Sequence, residues 1–151
     1  MTIQDCLDIV DEMKPNMMSR ALKVRYLSEI ERLIWEEIIS KHWPGKREPV
    51  PAGNHGIDPL ERTAAEAGVI VPEERQAPVY TEESDFSTAL QIPDPYAMVY
   101  VYWLMSKIDI QNQEDARYNI DRQHFENAYD TMSDWWTREH MPVSRVREFR
   151  L

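Results

Sequence analysis

The residues able to do chemistry are spread thinly along this chain. Its four histidines, His42, His55, His124 and His140, never stand three or four positions from one another, the spacing that lets one helix face offer two imidazoles to a metal. No Glu-x-x-His pair of the di-iron bundle type occurs either. The densest carboxylates are Glu29, Glu31, Glu36 and Glu37. Such a group can carry a magnesium ion only if a second helix brings a facing acid pair, and none is present at helical spacing, so these acids read as a solvated helix face. Pro44-Gly45-Lys46-Arg47 lacks the upstream glycine and the following Ser or Thr of a phosphate-binding loop. Nothing places Cys6 or a serine beside a histidine held by an acid. Cys6 instead falls beside Ile3, Leu7 and Val10 on one helix side, the position of a core thiol. The expectation is a protein with no catalytic residues, no metal ligands and no cofactor.

What the sequence does concentrate is aromatic surface. Between Tyr96 and Trp103 stand four aromatic residues, within the stretch IPDPYAMVYVYWLMSKIDIQNQEDARYN. At about 100° per residue, Tyr96, Val99, Tyr100, Trp103 and Leu104 cover one side of a helix, and Met98, Tyr102 and Met105 the other. A helix apolar on both sides is buried on both sides, either by its own chain or by a partner. Aromatic residues and Met are enriched where proteins meet, and Trp35 lies in a second stripe with Val24 and Ile39, so Trp35, Met98, Tyr102 and Met105 are predicted to face another subunit. A ligand pocket at the polar elbow Asp109, Gln111, Asn112, Glu114 and Asp115 is the third option; helix capping and the helix dipole account for those residue types. The segment 143–151 carries Arg145, Arg147 and Arg150 against Glu148, interleaved with Val146, Phe149 and Leu151, a pattern suited to an extended basic tail that adds to another surface.

The elements that must position these residues are helical. Thr2 with Asp5 forms a capping-box signature for a first helix, ended by Lys14-Pro15-Asn16. A second helix runs from near Ser19 to about His42, with Leu27, Ile30, Ile34 and Ile38 on one face. A third has Asp94 as N-cap and Pro95 in the first turn and ends near Asn112. A fourth presents Tyr118, Phe125, Tyr129, Met132 and Trp136 in one stripe and continues to about His140. Eight of the ten prolines and all four glycines lie between Pro44 and Pro95, a segment of ten acids and four bases. It is too long for an incidental loop. A short helix is predicted near 59–67, from Asp58-Pro59 to Gly68, and short extended pieces at Ala77 to Tyr80 and Ala89 to Ile92. The predicted fold is all-α: one domain over 1–151, a small antiparallel bundle of about four main helices, with 44–95 as a long irregular acidic arm between helices two and three.

Whole-chain properties narrow the function. The formal charge is −10 over 151 residues, which argues against a protein that grips DNA phosphates through clustered Lys and Arg. The apolar run from Pro95 to Met105 is far short of the ~20 residues of a membrane span. Acids in MTIQDCLDIVDEM stand where a secretory signal needs a basic and then an apolar region, so the chain reads as intracellular, with no membrane partner.

The pattern Pro93-Asp94-Pro95-Tyr96, Tyr100, Ile108-Asp109, Asn112, Arg117-Tyr118-Asn119, Phe125, Asn127-Ala128-Tyr129, Trp135-Trp136 and His140-Met141-Pro142 resembles a family of small proteins from the structural cassettes of tailed phages and Firmicute prophages, the head-tail connector or adaptor proteins. Lys14-Pro15-Asn16, Leu27-Ser28-Glu29 and His42 fit the same pattern. Where that family carries a glycine after the elbow Asn, this chain has Gln113, and its middle arm is longer. The resemblance implies a helical, non-enzymatic virion protein at the head-tail junction, assembled in the host cytoplasm. It would form a ring with the twelvefold symmetry of the portal protein, contact downstream head-tail joining or tail proteins, and meet DNA only as passing cargo. Two readings stand beside it: an all-helical, magnesium-dependent nucleotide hydrolase, to whose acids Glu29, Glu31, Glu36 and Glu37 are similar, and a monomeric regulator that binds one host protein through its aromatic stripe.

Overall fold

The computed structural model describes residues 1–42, 46–48, 69–71 and 76–140. The fold is all-α. Helix α1 spans Ile3–Met13 and α2 spans Arg20–Ile34; α2 runs on through a π-helical turn at Trp35–Ile39 and a last helical turn at Ser40–His42. Strands β1 (Lys46–Glu48) and β2 (Val69–Val71) pair antiparallel, with Arg47 opposite Ile70. Helices α3 (Met98–Asn112) and α4 (Asp115–Glu139) complete the bundle.

Local chemistry explains where these helices start and stop. Thr2 accepts a hydrogen bond from the Asp5 amide at 3.1 Å, and Asp5 accepts one from the Thr2 amide at 2.9 Å, so two free donors of the first turn are satisfied together. Lys14 closes α1 in extended conformation ahead of Pro15. Ser19 caps α2 through the Leu22 amide. Ile34, just before the π turn, and Ile38 and Ile39 within it all reach the core.

The start of α3 differs from its prediction. Asp94 does not cap the helix: its carboxylate lies 3.0 Å from the Met1 amino group, residues 94–97 form turns, and Ala97 stands at the N-cap. Tyr96, Val99 and Tyr100 amides bond to Pro93, Tyr96 and Ala97 carbonyls, three residues back, so the chain enters α3 through tight turns after a cis Asp94-Pro95 bond. The elbow between α3 and α4 turns on Gln113, the one described non-glycine residue with positive φ, at 60°.

Helix α3 sits at the centre of the molecule. It packs lengthwise on α4 and also meets α1 and α2. Val99, Tyr100, Val101, Trp103, Leu104, Met105 and Ile108 are all buried. The stretch 86–90 follows the N-terminus in extended form: Ile3 N–H donates to Thr88, Gln4 N–H to Phe86 and Leu90 N–H to Met1, with a single antiparallel bridge between Thr2 and Ala89. The extended piece expected at Ala89 to Ile92 is thus partly realised. That at Ala77 to Tyr80 has no strand partner among the described residues; Tyr80 N–H donates to Ser28 Oγ at 2.6 Å instead. The helix predicted near 59–67 and the tail 143–151 lie outside the described residues.

Candidate functional site

Positions on α3 decide which of its aromatic residues can meet a partner. Met98 and Tyr102, one turn apart, are half-buried and pack against the core from its edge. Tyr102 stacks on the exposed His124 ring of α4, with centroids 5.4 Å apart. Trp35, in the π turn, is half-buried as well. Met105 is 8% exposed, so the protomer itself covers this member of the predicted stripe. Of the predicted interface residues, the structure therefore leaves Trp35, Met98 and Tyr102 partly open, while Arg145, Arg147, Phe149, Arg150 and Leu151 fall outside the described residues.

A second aromatic group gathers where α4 ends. Trp135 stacks on Tyr96 at 4.5 Å, meets Trp136 edge-on at 5.7 Å, and His140 stacks on Trp136 at 3.9 Å. Such pairs add about 0.5–1.5 kcal/mol each beyond their burial. They tie the entry of α3 to the far end of α4.

Two buried polar clusters join residues far apart in the sequence. Lys14 closes α1 and reaches inward to Asp109 at the end of α3 and, at 2.5 Å, to Asp121 near the start of α4. Asp109 is fully buried and Lys14 is 8% exposed. One lysine thus joins the ends of three helices. Burial pushes the Asp109 carboxyl above the ordinary carboxylate range; Lys14 pulls it down and the neighbouring Asp121 pushes it up again. Asp109 Oδ2 has no hydrogen-bond partner among the described residues, which a proton shared with Asp121 would remedy. The elbow aspartate is therefore an internal tether, not a capping residue.

The other cluster surrounds Glu31, which belongs to the core and not to the solvated face of α2: it is 0% exposed. Its Oε1 accepts from the Gln91 amide at 3.0 Å and the Tyr80 hydroxyl at 3.3 Å, and its Oε2 from the Gln91 side chain. Burial raises its pKa, and these bonds, with one from Tyr100, pull it back. Glu31 fastens the returning chain, residues 80–91, to α2. The signal that could have exposed it is its helical phase: Glu31 lies beside Leu27, Ile30 and Ile34 in the apolar stripe of α2.

The other three acids of that group point elsewhere. Glu29 lies 3.4 Å from Lys107, Glu36 pairs with Arg32 at 2.7 Å, and Glu37 accepts from the Tyr129 hydroxyl at 2.7 Å. The four carboxylates do not converge. Among the described residues, no three His, Cys, Asp or Glu side chains are placed to hold a metal ion, and no helix is long and apolar enough to cross a membrane.

Two open grooves flank these clusters. One, of about 420 Å³, lies at the elbow among Lys14, Asn112, Glu114, Arg117 and Asp121. The other, of about 430 Å³, runs between the π turn and α4, with Leu33, Trp103, Phe125 and Tyr129 as apolar lining and Glu37, Glu126 and Asp130 as acids. Neither has a nucleophile beside a base among the described residues. In comparisons with protein-family models, with curated proteins and with solved structures, nothing matches this chain.

Proposed function

We propose that the chain is a non-catalytic structural protein, a head-tail connector of a tailed phage or prophage that assembles as a ring under the portal and extends the DNA channel toward the tail. The observation that carries this reading is the pair Met98 and Tyr102, set one turn apart on the most buried helix yet open on their outer side. Half-covered aromatic and methionine side chains on a rigid helix are the anchors that protein interfaces use. The polar clusters fit the same reading, because Lys14 binds Asp109 and Asp121 while Glu31 binds Gln91 and Tyr80, and so they stiffen a subunit. The resemblance to connector proteins suggests the place of action, and the net charge of −10 suits a wall past which DNA must slide without being held.

The test is the mass of the assembly. Light scattering on the chain alone and mixed with its portal protein should yield ring-sized particles in at least one of the two. A chain that stays at subunit mass in both would overturn the reading. Turnover of nucleotides with Mg²⁺, lost in Glu36→Gln, would replace it with the hydrolase.

A further inference from the structure

The groove between the π turn and α4 has a sign. Glu37, Glu126 and Asp130 are exposed along it, and its one base among the described residues, Arg122, already pairs with Glu126 at 2.9 Å, leaving a local charge of −2. Its lining includes the buried faces of Trp103 and Phe125. An occupant should therefore be basic and carry apolar side chains between its charges. The acidic segment 44–95, with ten acids and four bases, would add like charge, and its residues 80–91 are already bonded to α1 and α2. Residues 143–151, with Arg145, Arg147 and Arg150 against Glu148 and with Val146, Phe149 and Leu151 interleaved, have the opposite charge, +2, and the apolar side chains.

We propose that the groove seats residues 143–151 of the same chain, folded back along α4. Helix α4 ends at Glu139, so Asp130 lies about 14 Å and Glu126 about 20 Å back along it, at ~1.5 Å per residue. An extended segment advances about 3.3 Å per residue. A segment turned back just after α4 would bring Arg145 level with Asp130 and Arg147 with Glu126. Side chains two apart share one side of an extended chain, so Arg145, Arg147 and Phe149 would face the groove together, with Phe149 beside Arg122 and Phe125. This contact does not depend on the connector reading.

The experiment is amide hydrogen exchange of residues 145–151 in the full chain at low salt, at a concentration where light scattering gives the subunit mass. Exchange should be about tenfold faster in Glu126→Lys/Asp130→Lys than in the unmodified chain. Adding Arg145→Glu/Arg147→Glu to that variant should restore the slower rate, because the charges are exchanged across the same contact. Glu126 and Asp130 are exposed, and circular dichroism checks that helicity is kept in both variants. Equal exchange in the unmodified chain and the groove variant would overturn the proposal. So would protection that arises only where the mass rises above one subunit, since the tail would then be seated on a neighbour.

Discussion

A lysine that meets two carboxylates in a dry corner is a bond between helices, and its removal is more costly than its presence is stabilising. Breaking a buried pair from one side leaves uncompensated charge, typically about 3–5 kcal/mol. Lys14→Met should accordingly destabilise the fold by about that amount in urea unfolding, whereas Asp109→Asn should cost less, because Lys14 keeps its partner Asp121 at 2.5 Å. Equal losses in the two variants would mean that Lys14 packs but does not pair. Glu31 gives a pH prediction of definite sign. Its folded pKa is raised above the ordinary value of 4.5, so its contribution is fully present below that value and is lost as pH rises through the folded value. Glu31→Gln should flatten that part of the profile, since Gln91 can turn its amide and keep the side-chain hydrogen bond. The profile of the variant minus that of the unmodified chain isolates this slope from Asp5, Asp11 and Asp85, whose carboxyls are held low. Cys6 offers a simpler check: burial pushes its thiol up to about 12, so the folded chain should resist alkylation at pH 8 and react once unfolded.

At the scale of elements, caps and apolar stripes are readable because they are local. Thr2 with Asp5, Ser19, and the stripe Ile3, Cys6, Leu7 and Val10 depend on residues within one or two turns, and the structure keeps each as the spacing predicts. The entry of α3 departs from its prediction. Asp-Pro is a strong helix-start signal, but residues 94–97 form turns before α3, and Asp94 meets the Met1 amino group, a contact across the fold that no local pattern contains. Glu31 and Asp109 depart in the same way: their polar types suggest solvent and capping, and only their distant partners offset the cost of burial. The elbow yields a test of its own. Gln113 has φ of 60°, a conformation that costs a side chain roughly 1 kcal/mol and glycine almost nothing. Gln113→Gly should raise stability by about 0.5 kcal/mol after the added freedom of the unfolded chain is counted, and Gln113→Val should lower it by about 1 kcal/mol or more. If both changes act in the same direction, the left-handed turn is not what Gln113 is there to make.

At the scale of the molecule, the question is what α3 does with apolar residues on every side. The sequence pattern suggests more surface than one chain can cover, and the structure covers most of it: α1, α2, α4 and the returning segment close around Tyr100, Leu104 and Ile108. Met98 and Tyr102 remain at the edge, and this divides the stripe into residues with different fates. Tyr102 leans on the exposed ring of His124, so a carboxylate in its place can reach water, and Tyr102→Asp should keep its helicity by circular dichroism. Met105, 8% exposed, has no such outlet. Met105→Asp buries an unpaired charge and should cost several kcal/mol, enough to unfold a domain of ordinary stability. Assembly then separates the readings. If subunits of a ring meet through this edge, Tyr102→Asp, though folded, should fail to form particles alone or with the portal under conditions where the unmodified chain does, since a charge would be desolvated at the contact. A folded Tyr102→Asp that assembles normally would move the contact to Trp35 or to surfaces beyond the described residues, and a Tyr102→Asp that unfolds would place this edge inside the core.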